Sequence, residues 1–182
     1  MRNKMINQTF PSLFKLIEAL QKKNKQLEVT HSDKVWVASF SWNPPAPMES
    51  IKSVEKELGF SLPQDYVTFL TKISDGATLY YDIKYGQWGY KIYGTNEIIK
   101  AQMKWESVFE EDWKTYFLAI GKIIGETHVL IQLLDRPTKN KDAFELRDGN
   151  PLDTQEDWDK ISLSFHEWIE NLITAQGAKY WL

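Results

Sequence analysis

The sequence lacks cysteine altogether: none occurs among its 182 residues. This absence excludes structural disulfides, zinc sites built from thiolates and cysteine nucleophiles. Proteins without disulfides are typical of reducing compartments, so we expect a cytoplasmic protein. Long apolar runs are also missing, since no stretch approaches the roughly 18 consecutive apolar residues of a membrane-spanning helix. Near the N-terminus Lys15 and Glu18 interrupt the apolar positions, so we expect neither a signal peptide nor a membrane partner.

Histidine is scarce, and its spacing gives no reason to expect a metal site. His31, His128 and His166 lie on separate predicted elements and form no H-x-x-x-H or H-E-x-x-H pattern. Residues 121–127 differ from a phosphate-binding loop, because Lys122 precedes the second glycine instead of following it. No Gly-x-Ser-x-Gly motif is present that would position a serine nucleophile. We therefore expect no metal, no cofactor and no catalytic residue.

Carboxylates are the remaining groups that could supply catalysis. Glu110, Glu111 and Asp112 form one cluster, and a second cluster lies between residues 153 and 159. Either could provide the carboxylate pair of a glycosidase or ligands for magnesium. The second cluster directly precedes a predicted helix, where acidic residues stabilise the positive end of the helix dipole. A small hydrolase is thus an alternative function, but helix capping explains the second cluster more simply.

Charge is distributed unevenly along the chain, although the formal net charge is only −3. Residues 1–34 contain seven Lys and Arg against three Asp and Glu, whereas residues 95–182 contain ten against sixteen. An acidic C-terminal half disfavours direct binding of nucleic acid and suits a basic protein partner, because opposite potentials speed encounter and fix orientation.

The pattern of apolar residues predicts a single α+β domain. Apolar residues make up 42% of the chain and charged residues 26%, which is typical of a globular protein with one core. Strand formers concentrate in the middle of the chain and helical spacing at both ends. This order predicts a central, mostly antiparallel sheet flanked by N-terminal helices, a helical hairpin and a C-terminal helix. The predicted strands are residues 27–31, 35–42, 77–83, 90–93, 117–123, 126–135 and 143–146.

Residues 41–76 are the most informative segment, because their apolar spacing predicts two consecutive amphipathic helices. The first begins near Met48 and ends at Gly59, a residue that tolerates positive φ. The second is predicted to follow Ser61 as N-cap, with Gln64 three residues on, and to end before Gly76. At the other end of the chain, either Asp159 or Ser162 is predicted to cap the last helix.

The densest aromatic group surrounds a predicted turn at residues 86–89. Tyr and Trp anchor many protein interfaces because they bury a large area with little loss of rotamer freedom. Cross-strand packing within the sheet is the alternative role. Tyr80 and Tyr81 are adjacent and face opposite sides of a regular strand, so we expect at least one to point outward. Trp88, in the turn, is the best candidate for an exposed anchor.

The order of residues in the helical hairpin resembles the signature of the SUKH superfamily. This superfamily includes the fungal cell-wall-synthesis regulators of the Smi/Knr type and many bacterial immunity proteins. The resemblance rests on ten positions: Trp42, Glu55, Leu58, Gly59, Leu62, Pro63, Tyr66, Phe69, Leu70 and Gly76. Weaker similarity extends to about residue 175. We therefore divide the chain into an N-terminal helix and strand extension, residues 1–41, packed on a SUKH-like domain, residues 42–182.

The resemblance implies a non-catalytic binding protein, namely a bacterial immunity protein that binds and neutralises a toxin domain, often a nuclease. A regulatory scaffold like the fungal proteins is the alternative that the resemblance allows. In the first case the acidic cluster would meet a basic toxin domain, and aromatic residues would form the centre of the contact. The candidate partner-binding residues are Tyr80, Tyr85, Trp88, Glu110, Glu111 and Asp112.

Overall fold

The computed structural model describes residues 9–23, 26–31, 34–134, 145–150 and 152–182, with side chains for all of these except residues 31, 34, 108–116 and 155. Within these ranges, five α-helices and eight β-strands confirm the predicted α+β class. The helices are α1 (Pro11–Lys22), α2 (Met48–Leu58), α3 (Gln64–Lys72), α4 (Thr95–Tyr116) and α5 (Phe165–Thr174). The strands are β1 (Gln26–His31), β2 (Lys34–Trp42), β3 (Ala77–Asp82), β4 (Tyr90–Ile92), β5 (Phe117–Ile123), β6 (Val129–Leu133), β7 (Leu146–Gly149) and β8 (Asp159–Ser162).

The described strands form one sheet in the order β1 to β8, so each strand lies beside its neighbours in sequence. All of these pairings are antiparallel. Such a meander needs only local connections and leaves β1 and β8 at the two edges. Because β2 pairs with β3, the strands of the predicted N-terminal extension belong to the same sheet as the rest of the chain.

Hydrophobic clusters cover both faces of the central part of the sheet. In β5, Leu118 belongs to the larger cluster, whereas Phe117 and Ala119 belong to a smaller one. Side chains alternate between the faces of a strand, so the two clusters lie on opposite faces. The larger cluster includes residues of α1, α2, α3 and α5 and Ile98 in the first turn of α4, whereas Trp105 farther along α4 packs in the smaller one. The prediction that the strand around Val129 is buried on both faces is therefore confirmed.

A carboxylate of α5 caps the first described helix. The N-cap residue of α1, Phe10, provides no side-chain hydrogen bond. Instead the two carboxylate oxygens of Glu170 accept hydrogen bonds from the backbone N–H groups of Ser12, at 2.8 Å, and Leu13, at 3.2 Å. The negative charge also lies at the positive end of the helix dipole. This contact ties α1 to the C-terminal helix.

The helical hairpin forms as predicted, except at the start of its second helix. Gly59 ends α2 with a φ of 79°. Ser61 is not the N-cap of α3, which begins at Gln64 directly after an extended Pro63. The prediction of Ser61 was wrong because the chain between the helices is held differently: Glu55 Oε1 accepts the N–H of Leu62 at 2.8 Å.

The end of α3 and the start of α4 meet at a tight backbone crossing, which we call the α3–α4 junction. Asp75 accepts hydrogen bonds from the N–H of Thr95 at 2.6 Å and from its Oγ1 at 2.7 Å. Gly76 has a φ of 89°, and a Cβ there would lie 2.8 Å from the nitrogen of Gly94. A Cβ on Gly94 would overlap the carbonyl oxygen of Asp75. Both glycines are therefore required by close backbone approach.

The C-terminal part differs from the prediction, because Asp159 and Ser162 do not cap the last helix. They are the two ends of β8, which pairs with β7. Ser164 is the N-cap of α5, and its Oγ accepts the N–H of Glu167 at 3.1 Å. The Glu167 carboxylate reaches back to the N–H of Leu163 at 2.8 Å, much as in a capping box. A four-residue strand was missed because its sequence, DKIS, lacks enough strand formers to show a pattern.

We predict that Tyr66→Phe lowers the free energy of unfolding by about 1–2 kcal/mol, because it removes the hydrogen bond of a buried hydroxyl and leaves a carbonyl oxygen without this donor. The Tyr66 hydroxyl donates to the Tyr93 carbonyl oxygen at 2.6 Å, and the Ile120 carbonyl oxygen lies 3.4 Å away. Denaturant unfolding measures the change. Tyr85→Phe removes a hydroxyl from an exposed ring and serves as the matched control. Equal stability losses in both variants would contradict the structural role of the Tyr66 hydroxyl.

We also predict that stability falls as the pH rises above about 10. Burial raises the pKa of Tyr93 and Tyr180 to about 12 and raises those of Tyr66, Tyr80 and Tyr90 above the ordinary value. In this range the unfolded chain loses tyrosine protons that the folded chain retains, which favours unfolding. Tyrosinate absorbance is expected to rise in a cooperative step with the loss of circular dichroism. Titration of all eight tyrosines near pH 10 with the fold intact would contradict this prediction.

Candidate protein-binding site

An open groove of about 980 Å³ lies between the β1–β2 hairpin, the β3–β4 connection and the turn after α5. We call it the hairpin groove. Its apolar walls are formed by Val35, Trp36, Val37, Ile83, Tyr85 and Trp88. Four of these residues are exposed, with Val35 at 67% and Tyr85 at 65% the most accessible. Apolar side chains gathered around one concave site mark a surface for binding another molecule.

The exposure of this region follows from the way β2 lies in the sheet. Trp36 and Ala38 belong to or pack against the larger core cluster. Val35 and Val37 alternate with them and therefore face the opposite side of the sheet. The smaller cluster on that side contains residues of β5 and β6 but, among the described residues, none of β1 or β2. The two valines thus remain exposed.

Asp82 organises the connection that carries Tyr85. Its Oδ1 accepts the backbone N–H groups of Lys84, at 2.9 Å, and Tyr85, at 3.3 Å. Its own backbone N–H donates to the carbonyl oxygen of Trp88 at 3.0 Å, which closes the connection. The Lys84 ammonium lies 4.7 Å from the centre of the Tyr85 ring. These contacts hold an exposed aromatic ring in a defined position, which lowers the entropy lost when it binds a partner.

Trp88 forms a wall of the hairpin groove and does not project from the surface. The side chain is half-buried and packs against the larger core cluster. Its ring makes an edge contact with Tyr90, with a centroid distance of 5.8 Å. The exposed aromatic ring in this connection is therefore that of Tyr85, whereas Trp88, which the sequence suggested as the exposed anchor, links the groove to the core.

Tyr80 is a core residue, which corrects its place among the candidate partner-binding residues. Its side chain is 2% exposed, packs edge-on against Phe40 at 4.9 Å and donates to the carbonyl oxygen of Ile173 at 3.4 Å. The register between β2 and β3 shifts opposite Ser39, and Tyr80 has a φ of 52°. Such a bulge interrupts the alternation of side chains and turns Tyr80 inward. The ring is therefore almost wholly buried and cannot act as an exposed anchor.

The candidate acidic residues Glu110, Glu111 and Asp112 belong to α4, but their side chains lie outside the described residues. The helix packs on β5, whereas the hairpin groove lies at β1 to β3. The structure thus brings Tyr85 and Trp88 together and places the helix that carries the carboxylates on a different part of the sheet.

Sequence reasoning missed Val35, Val37 and Ile83 as surface residues. All three have residue types that favour strands and cores, so the sequence alone predicts burial. Their alternation with Trp36 indicates that two faces exist. It does not indicate which face a helix covers, because that depends on where α4 crosses the sheet.

A second, smaller groove of about 380 Å³ lies on the core side of β1, between α1 and the end of α5. We call it the helix groove. Its lining includes Lys15 and Leu16 of α1, Leu27 and Val29 of β1, and Gln176. Gln176 also lines the hairpin groove, so the two grooves adjoin at this residue.

A charged cluster around the buried Asp148 joins the C-terminal segment to the sheet. The Asp148 side chain is fully buried; its Oδ1 lies 2.8 Å from His128 Nδ1, and its Oδ2 accepts the Trp181 indole N–H at 3.0 Å. Lys179 Nζ lies 3.2 Å from Asp148 and 2.6 Å from Glu126. Burial lowers the pKa of Lys179, but hydrogen bonds and attraction from the two carboxylates outweigh this, so the pKa lies above its ordinary value. Sequence patterns do not reveal this pairing, because its members lie far apart along the chain.

This charged cluster fits a structural role. Each Asp148 oxygen already accepts a hydrogen bond from the protein, so the buried carboxylate is compensated without a further ligand.

Among the described residues, no group of three or more histidine and acidic side chains has an arrangement suited to a metal ion. No helix in the same ranges has the length and apolar character needed to cross a bilayer. The hairpin groove, which gathers exposed apolar side chains around one concavity, is the best candidate for a functional site.

Known proteins resemble this chain over most of its length. The sequence model of the SMI1 / KNR4 family (SUKH-1) matches residues 45–171. Two proteins of Bacillus subtilis (strain 168) are similar. Uncharacterized protein YobM is 27% identical over 142 residues, 75% of this chain and 70% of its own length. Uncharacterized protein YnaB is 24% identical over 144 residues, 79% of this chain and 88% of its own length. The family resemblance of the helical hairpin is thus confirmed, and the chain belongs to the SMI1 / KNR4 family (SUKH-1).

Proposed function

We propose that this protein is a cytoplasmic immunity protein, which binds a toxin domain and neutralises it without catalysing a reaction. The observation that carries the proposal is the hairpin groove, where Val35, Val37, Ile83 and Tyr85 are exposed around one concavity. A stable fold has no need to expose these side chains together, whereas a binding protein does. Membership of the family supports the proposal, since the superfamily that the chain resembles includes many immunity proteins.

The groove supplies the apolar centre of the proposed contact. Tyr85 presents a large exposed ring, and Trp88 provides a wall that is already fixed against the core. Aromatic residues at the centre of an interface commonly contribute ~2 kcal/mol or more each. Because both residues are held in place before binding, little of this energy is lost in ordering them.

Charge supplies the long-range part of the proposed contact. Residues 95–182 contain sixteen Asp and Glu against ten Lys and Arg, which favours a toxin domain with a basic surface. Charges at the rim of an interface mainly speed the encounter and orient the partners, while apolar anchors set the rate of dissociation. Occlusion of the toxin by this combination needs no catalytic group in the immunity protein.

The proposal is tested with the toxin domain that we expect to be encoded beside the gene, at the C-terminus of a large secreted protein. Production of this domain alone is expected to arrest growth of a bacterial host, and co-production of the immunity protein to restore it. Tyr85→Ala is expected to weaken the complex by roughly tenfold or more, because the ring is lost from the apolar centre. Titration calorimetry of the purified pair measures the dissociation constant.

Leu163→Ala is the matched control for Tyr85→Ala. Leu163 is 61% exposed, close to the 65% of Tyr85, but follows β8 and does not line the groove. We expect this variant to bind as the unmodified protein does. An unchanged dissociation constant for Tyr85→Ala would exclude the groove, and failure of the immunity protein to bind the toxin domain or restore growth would contradict the function itself.

The acidic cluster gives a separate prediction about rates. The triple variant Glu110→Gln, Glu111→Gln and Asp112→Asn is expected to slow association with a basic toxin domain several-fold, with little change in dissociation. Stopped-flow measurements at low and high salt check this, since screening should remove the difference. The control removes three exposed charges elsewhere, by Glu18→Gln, Glu49→Gln and Glu57→Gln. Equal association rates for the two triple variants would refute steering by the acidic cluster.

A further inference from the structure

We propose that β1 is a docking edge, to which the protein partner adds an extended strand. This inference rests on the proposed function, because it specifies how the bound partner is held beside the hairpin groove. The occupant is an extended segment of that partner with apolar side chains at alternating positions. The proposal is carried by the free backbone groups of β1, by the contrast between the two edges of the sheet and by the two grooves that border β1.

The free backbone groups of β1 can be assigned from one hydrogen bond. The N–H of Gln26 donates to the carbonyl oxygen of Lys23 at 2.9 Å and therefore points away from β2. In an antiparallel ladder, residues alternate between bonding the neighbouring strand and facing away from it. Glu28 and Thr30 follow Gln26 by two and four residues, so their backbone groups point the same way as those of Gln26. They lie opposite Val37 and Val35 of β2. Their N–H and C=O groups consequently face outward, where no other strand among the described residues pairs with β1.

The opposite edge of the sheet is better protected against strand addition than β1. β8 has only four residues, its pairing with β7 is irregular, and two adjacent charged residues, Asp159 and Lys160, are exposed on it. Short length, irregular register and charge are the devices by which sheet edges avoid pairing with other chains. β1 has six residues in unbroken register with β2 and contains no proline. It is the more open edge.

The two grooves adjoin this edge. The hairpin groove includes Gln26, and the helix groove includes Leu27, Glu28 and Val29. Side chains of a strand alternate between the two faces of its sheet, so a strand added beside β1 would direct successive side chains to opposite sides. Edge addition of this kind obtains affinity from backbone hydrogen bonds and specificity from pockets for alternate side chains. The helix groove, which three residues of β1 line, provides such a pocket on the core side, and the hairpin groove reaches the edge at Gln26.

Charge around the edge further defines the occupant. Lys15 lines the helix groove, and Lys22 and Lys23 are exposed at the end of α1. The carbonyl oxygen of Lys23 accepts the hydrogen bond of Gln26, which places this residue at the outer side of β1. We therefore expect the added strand to carry an acidic residue at the end next to Lys23. This local charge is independent of the basic surface expected for the partner as a whole.

The test is the variant Glu28→Pro, measured with the toxin domain encoded beside the gene as probe. Proline removes an outward N–H but none of the bonds to β2, so the sheet itself should persist. We expect the dissociation constant to rise roughly tenfold or more, because a backbone hydrogen bond is lost and the proline ring obstructs the edge. Glu28→Gln keeps the N–H and is the control, with an expected change below about twofold. Circular dichroism and thermal unfolding verify that both variants are folded.

Amide hydrogen exchange of the unmodified protein provides a readout that does not depend on a variant. The amides of Glu28 and Thr30 are expected to exchange fast in the free protein and at least tenfold more slowly in the complex, roughly as one added hydrogen bond each would require. If the toxin domain binds without protecting these amides, or if Glu28→Pro binds it with full affinity, the proposal that β1 is a docking edge is overturned. The proposed function remains intact in either case. Absence of any complex overturns both. Self-association abolished by Glu28→Pro, with toxin binding unchanged, would assign the edge to a second copy and also overturn the proposal.

Discussion

The α3–α4 junction is the constraint on which the positions of the other elements depend. Two backbone segments cross there so closely that a Cβ on Gly76 or Gly94 would collide with the other segment. Asp75 holds the first residue of α4 through two short hydrogen bonds to Thr95. Nearby, the buried hydroxyl of Tyr66 joins α3 to the chain that follows β4. One crossing therefore fixes where the helical hairpin ends, where β3 begins and in which direction α4 leaves the sheet.

The hairpin groove is exposed because of the direction in which α4 leaves the sheet. α4 packs on β5, and the small core cluster beneath it draws on β5 and β6. The helices on the other face bury the larger cluster, which reaches β1 and β2. One face of β2 is thus covered and the other is not, although both carry strand-forming apolar residues. The surface that we propose for binding comes from this asymmetry of coverage, and no special residue type marks it in the sequence.

Local chemistry determined what could be predicted from the sequence. Gly59 ended a helix as predicted because its effect acts through its own backbone, and the family signature of the hairpin lies within one continuous segment. Tyr80 was misplaced because a bulge breaks the strand period at that residue. Ser61 and Ser162 have the residue type of an N-cap, but packing against residues distant in the sequence determines where each helix begins. The pairing of His128 with Asp148 depends on sheet register and has no local pattern.

The family match covers only part of the proposed recognition surface, since Tyr85 and Trp88 lie within it and the β1–β2 hairpin does not. The family model matches residues 45–171, which include the α3–α4 junction and Tyr66. β1 and β2 both precede that range, and with them Val35, Trp36 and Val37. The matched region includes most of the larger core cluster, and residues outside it form one side of the groove and the open edge. A signature that holds two helices against a sheet can therefore identify the family without identifying the partner, because the side chains that would contact the partner are not the ones that the signature contains.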